Sequence, residues 1–88
     1  MKLALNSKAK DDLRFWYNNG QRSRKKIENL LKDILEHPRT GIGKPEQLKH
    51  ELSGMWSRRI DRKNRIVYEI DEVNSTVFVL SLRGHYKM

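Results

Sequence analysis

The sequence predicts one α+β domain, an N-terminal strand and a two-helix hairpin packed on a small antiparallel β-sheet, and three observations carry that reading. Apolar residues recur at helical spacing through the first half of the chain, and from Trp56 onward the period drops to two. Between the two regimes, residues 39–54 hold three of the five glycines and one of the two prolines. With 88 residues and 36% apolar side chains, residues 1–88 have the material for a single core. No internal repeat or low-complexity tract divides them.

Leu3 and Leu5 alternate with polar or small residues ahead of Asn6-Ser7, which predicts a short strand ending at a helix N-cap. Ala9, Leu13, Trp16 and Tyr17 then fall on one helical stripe, which Asn18-Asn19-Gly20 closes. A second helix starts near residues 21–23 and buries Ile27, Leu30, Leu31, Ile34 and Leu35, and Pro38 stops it. Residues 39–54 read as loop with at most a short helix over 46–51, and loops on a rigid scaffold are where sites concentrate.

Residues 56–60, 65–70 and 76–82 are rich in β-branched and aromatic side chains and read as strands joined by two hairpin turns. The buried parity is expected to be Trp56, Ile60, Ile66, Tyr68, Ile70, Phe78, Leu80 and Leu82. The other face mixes Val67, Val77 and Val79 with Arg59, Arg65, Glu69, Ser81, Arg83 and His85. For Arg59 and Arg65 to share that face, the turn between them must hold an odd number of unpaired residues or a bulge.

Composition narrows the chemistry. Nineteen Lys+Arg against eleven Asp+Glu give a net charge of +8, the footprint of a protein with a polyanionic partner. There is no cysteine, which excludes disulfides, thiolate nucleophiles and Cys-based zinc sites. No apolar run approaches the ~20 residues of a membrane span, and the N-terminus is too short for a signal segment, so the reading is a soluble cytoplasmic protein with no membrane partner. The three histidines lack paired-ligand spacing, so neither a metal nor another cofactor is expected.

The remaining chemical candidates are Glu46, Lys49, His50, Arg58, Arg59, Arg65, Arg83, His85 and Tyr86. RNA carries its own nucleophile, the 2′-hydroxyl, so cleavage needs only a base, cations for the developing phosphorane charge, and an acid for the departing 5′-oxygen. Glu46 suits the base, Arg65 and Arg59 a phosphate clamp, His85 the acid, and Tyr86 a donor or stacking platform. Each has a plainer reading: surface arginines commonly serve solubility, His37 suits a helix C-terminus, and Trp16, Trp56 and Tyr68 suit the core. Spacing alone stops at a basic domain that contacts nucleic acid.

Residues 43–60 run Gly43-Lys44-Pro45-Glu46-Gln47-Leu48-Lys49-His50-Glu51-Leu52-Ser53-Gly54-Met55-Trp56-Ser57-Arg58-Arg59-Ile60. This string resembles the signature of the YoeB/Txe toxins, a branch of the RelE/ParE superfamily. The likeness extends to Arg65-Ile66-Val67-Tyr68, to the terminal His85-Tyr86, and to Asp11-Asp12 with Trp16 near the start. The sequence departs from the family pattern at Asn64, at Gly84 before His85, and in the Lys87-Met88 extension.

The resemblance implies a RelE-like fold and a ribosome-dependent, metal-independent endoribonuclease that cuts mRNA in the ribosomal A site. It implies neutralisation by an acidic YefM/Axe-like antitoxin, and assembly as a homodimer or a toxin–antitoxin heterocomplex. By position it implies Glu46 as base, Arg65 as the phosphate-stabilising cation, His85 as acid followed by Tyr86, and Lys49 and Arg59 as supporting RNA contacts. Two rivals are a ParE-like gyrase-inhibiting toxin, whose branch lacks the Glu46, Arg65, His85 and Tyr86 set as a unit, and a non-catalytic nucleic-acid-binding module.

Overall fold

In the computed structural model, which describes residues 1–84, the first strand β1 spans Lys2–Leu5 and gives way to helix α1, Ser7–Asn18. Asn6 makes the change of direction: its side-chain Oδ1 accepts the Ala9 N–H at 2.8 Å, satisfying one donor of the first helical turn. Gly20, at φ 122°, breaks the chain between α1 and α2, Gln21–Glu36. Four strands follow and form one sheet with β1: β2 Glu46–Gln47, β3 Met55–Arg59, β4 Arg65–Asp71 and β5 Thr76–Ser81, in the order β1-β5-β4-β3-β2.

The three long strands form the expected antiparallel meander. Two features of the sheet differ from expectation. β1 joins β5 in parallel, so the sheet is mixed, because the α1–α2 hairpin carries the chain away and the meander returns to it from the far side. At the other edge, where the sequence predicts at most a short helix over residues 46–51, Glu46–Gln47 pairs with β3 as a strand and only His50–Leu52 forms a 3-10 turn.

Both helices cover one face of the sheet. Ala9 and Trp16 from α1 and Ile27, Leu30, Leu31 and Ile34 from α2 pack against Ile60, Ile66, Tyr68, Val77, Val79 and Leu82. Tyr17, expected in the α1 stripe, is instead 36% exposed and donates its hydroxyl to Glu28, while Asp12 takes a buried place on α1.

The buried parity of β5 also differs. Tyr68 pairs with Val79 and Val67 with Ser81, so Leu80 is an extra residue bulged out of the ladder. Before the bulge Val77 and Val79 face the helices and Phe78 is 41% exposed; after it the parity switches, and Leu82 is buried. The expected set of Phe78, Leu80 and Leu82 therefore holds only at Leu82.

Candidate functional site

The face turned away from the helices collects the polar residues. Across β2, β3 and β4 the register sets Glu46 opposite Ser57, Ser57 opposite Val67, and Arg59 opposite Arg65. The turn between β3 and β4 holds residues 60–64, an odd number, which is the condition for Arg59 and Arg65 to share a face. Asp61 closes that turn by accepting the N–H groups of Lys63 and Asn64 at 2.8 and 2.7 Å.

Arg65 Nη1 donates to Ser57 Oγ at 3.1 Å and to Glu46 Oε2 at 3.2 Å. Ser57 is fully buried, the Arg65 side chain is 12% exposed and that of Glu46 47%. A guanidinium is thus braced from below while its carboxylate partner stands in solvent. Arg59 is exposed beside them and shares a hollow of about 240 Å3 with Asp61, Arg62 and Arg65. Lys49 is exposed at the entry to the 3-10 turn, a few residues beyond Glu46 along the same segment. His50 is exposed and begins that turn at φ 59°.

Arg58, one residue before Arg59, leaves the list of RNA-facing candidates. Strand alternation sends it to the helix side, where it is 0% exposed. Its guanidinium bonds the Asp33 carboxylate and the carbonyls of His37, Thr40 and Ile42, and its Nε reaches the Tyr68 hydroxyl at 3.2 Å. Tyr68 in turn donates to the Pro38 carbonyl at 2.7 Å. Burial pushes the Tyr68 phenol above its ordinary value. The hydrogen bond from Arg58 holds the Asp33 carboxyl below the usual carboxylate range, against the opposing effect of its partial burial.

This knot fastens residues 37–42 to the sheet. The Arg59 N–H to Gly43 carbonyl bond, at 2.7 Å, carries the same segment up to the start of β2 and Glu46. Sequence alone does not single out Asp33; only the fold brings it to Arg58.

A second set of anchors holds the end of the described chain. The Asp12 carboxylate accepts the Leu82 N–H at 2.9 Å, and Trp16 Nε1 donates to the Leu82 carbonyl at 2.7 Å. The Arg83 guanidinium lies 3.6 Å from the Phe15 ring centre. The Gly84 carbonyl accepts from the Arg65 N–H at 3.1 Å, and its own N–H donates to Asn64 Oδ1 at 3.0 Å. Gly84 is thereby tied to the backbone of the strand that carries Arg65. His85 and Tyr86 lie outside the described residues.

Among the described residues, no three His, Asp or Glu side chains come together as a metal-holding group, and no helix is long and apolar enough to cross a membrane. What the open face offers is the Glu46 carboxylate paired with a braced guanidinium, and further cations beside that guanidinium around one hollow.

A small basic α+β domain with this face is built like a family of bacterial toxins. The family model for YoeB-like toxins of bacterial type II toxin–antitoxin systems matches residues 5–86. Toxin YoeB of Escherichia coli K12 is 42% identical over 86 residues, covering 98% of this chain and 100% of that protein. Among solved structures, a YoeB/ParE toxin from Agrobacterium tumefaciens superposes with a TM-score of 0.93 at 37% identity, covering 98% of this chain and 100% of that one. A Staphylococcus aureus YoeB, 36% identical and covering 98% of both chains, matches as a YoeB–YefM complex with a TM-score of 0.85 and as a YoeB dimer with 0.87. The chain belongs to the YoeB-like toxins of type II toxin–antitoxin systems.

Proposed function

We propose that this toxin is a ribosome-dependent endoribonuclease that cuts mRNA in the decoding site without a metal. The observation that carries the reading is the Glu46–Arg65 pair on the open face, with Arg65 fixed by buried Ser57. Glu46 takes the proton of the 2′-hydroxyl, and the 2′-oxygen attacks phosphorus. Negative charge gathers on the non-bridging oxygens, where the Arg65 guanidinium neutralises it. The bond from phosphorus to the 5′-oxygen breaks, and His85 supplies the proton that the leaving oxygen needs. The products are a 2′,3′-cyclic phosphate and a free 5′-hydroxyl. Tyr86 assists at the leaving side, and Lys49 and Arg59 hold flanking phosphates.

The Gly84 contacts support this assignment, because the Arg65 N–H donates to the Gly84 carbonyl and Gly84 immediately precedes His85 in the chain; the Leu82 anchors fix the approach to it on α1. The net charge of +8 suits an enzyme that works on ribosomes in the cytoplasm. It suits equally an acidic YefM-like antitoxin as partner, in keeping with the S. aureus YoeB–YefM complex, and the S. aureus YoeB dimer supports a homodimer.

Translating ribosomes test the proposal. Wild type should cut the A-site codon, while Glu46→Gln, Arg65→Ala and His85→Ala lose about 10²- to 10⁴-fold in rate, and a 2′-deoxy nucleotide at the cut should stop the reaction. Equal cutting by all four proteins would overturn the site. Absence of cutting by any, with inhibition of DNA supercoiling instead, would favour the gyrase-directed reading.

A further inference from the structure

A second hollow shares Arg59 with the one that Arg65 lines, and of its residues the cleavage reading uses Arg59 alone. It opens between α2 and residues 42–44, has a volume of about 350 Å3, and is lined by Lys26, Asn29, Leu30, Ile42, Lys44 and Arg59 around Gly43. That size falls at the small end of ligand-binding cavities. Its floor is aliphatic: Leu30 is buried, and Ile42 is 51% exposed. Three cations and one amide surround this floor, with no carboxylate among the lining residues.

Gly43 lies at φ +80°, a conformation that disfavours other residues, and a Cβ there would sit 2.7 Å from Leu30 Cδ2 and force that side chain to shift. Arg59 lines both this cavity and the one that holds Arg65. Lys26 and Asn29 also line a shallower basic hollow that continues along α2 toward Arg22. Arg59 therefore links the hollow at Arg65, which also holds the Asp61 carboxylate, to the basic surface along the helix.

We propose that the cavity is a nucleotide subsite for the RNA strand being cut, one that receives a residue flanking the scissile linkage. A base lies against Leu30 and Ile42, the Asn29 amide meets its polar edge, and Lys26, Lys44 and Arg59 hold the adjoining phosphates. An aliphatic floor ringed by cations matches a flat base joined to phosphates, whereas an acidic side chain needs the cations alone. Continuity through Arg59 points to the substrate strand, since that one guanidinium lines both the hollow at Arg65 and this one, and the Asp61 carboxylate beside it is taken up by the N–H groups of its own turn. The proposal rests on the endonuclease reading for the identity of that strand.

The test uses Lys26→Ala/Lys44→Ala and Ile42→Ser, all changes at side chains that line the open hollow, on ribosomes programmed with mRNA that carries an abasic ribose beside the cut. For the double variant KM should rise about 10-fold with kcat within twofold, and the salt slope of log KM should fall by about 1.4, at about 0.7 for each phosphate no longer neutralised. The abasic nucleotide should raise KM several-fold for wild type and add nothing for Ile42→Ser.

An unchanged KM and salt slope would overturn the subsite, as would an equal abasic penalty in wild type and Ile42→Ser. Equal loss of affinity for ribosomes without mRNA would assign the surface to ribosomal RNA, and loss of affinity for an acidic antitoxin peptide alone would assign it to a protein; either result also overturns the proposal. RNA dissociation constants measured in a Glu46→Gln background separate the two readings: the expected differences in binding without any cutting by wild type would remove the nuclease and leave the subsite standing.

Discussion

Arg58 and Arg59 are neighbours in the chain and opposite in role, because a strand sends alternate side chains to opposite faces. Arg59 faces solvent; Arg58 is sealed among the Asp33 carboxylate, three carbonyls and the Tyr68 hydroxyl. Arg58→Met keeps much of the volume and removes every one of those bonds, so it should cost about 3–5 kcal/mol in urea unfolding, as expected when one member of a buried pair is deleted. Asp33→Asn keeps an acceptor and should cost less, on the order of 1–2 kcal/mol at neutral pH. The sign of its pH dependence follows from the lowered Asp33 carboxyl. The stabilisation is fully present above the ordinary carboxylate value of about 4 and is lost as pH falls through the lower folded value. Unfolding free energies at pH 7 and near pH 3 should therefore show the gap between wild type and Asp33→Asn closing on the acid side; a gap independent of pH would show that Arg58 does not act on Asp33 as a charge partner.

Elements place the site more than single residues do, and the sequence displays some of their features while hiding others for identifiable reasons. The α2 stripe of Ile27, Leu30, Leu31 and Ile34 and the Asn6 cap are local signals, and the structure has them where the periodicity puts them. The Leu80 bulge is invisible to a period-two count, since one unpaired residue reverses parity without changing composition. β2 is two residues long and exists only because β3 offers a partner, so Glu46 reads as loop. Family resemblance names Glu46 and Arg65, but their contact depends on three strands in register. Asp12 and Trp16 are visible as residues and not as the clamp on Leu82, which joins positions far apart in the chain. That clamp makes a prediction at this scale. Trp16→Phe leaves a buried carbonyl without its donor and should cost about 1–3 kcal/mol. It should also lower kcat beyond what that instability explains, measured at a temperature where the variant is fully folded, because β5 leads directly to the segment before His85. Unchanged kcat in the folded variant would detach the clamp from catalysis.

At the scale of the molecule the sheet separates two jobs. One face is a core shared with two helices; the other holds a half-exposed ion pair whose net worth to folding is small. Substitutions should sort accordingly. Ile27→Ala and Val79→Ala remove fully buried methyl groups and should cost about 2–5 kcal/mol for Ile27 and somewhat less for Val79, with cutting per folded molecule retained. Glu46→Gln should change stability by less than about 1 kcal/mol and remove most of the cutting. Salt gives the third measurement. A surface with a net charge of +8 gathers a polyanion largely by counterion release, so log affinity for ribosomes should fall linearly with log salt, by about 0.7 to 0.9 per phosphate neutralised. The thermal midpoint, set mainly by the apolar face, should move little over the same salt range. Binding and stability that declined together with salt would mean that the basic face is coupled to the core, and the division of labour across the sheet would not hold.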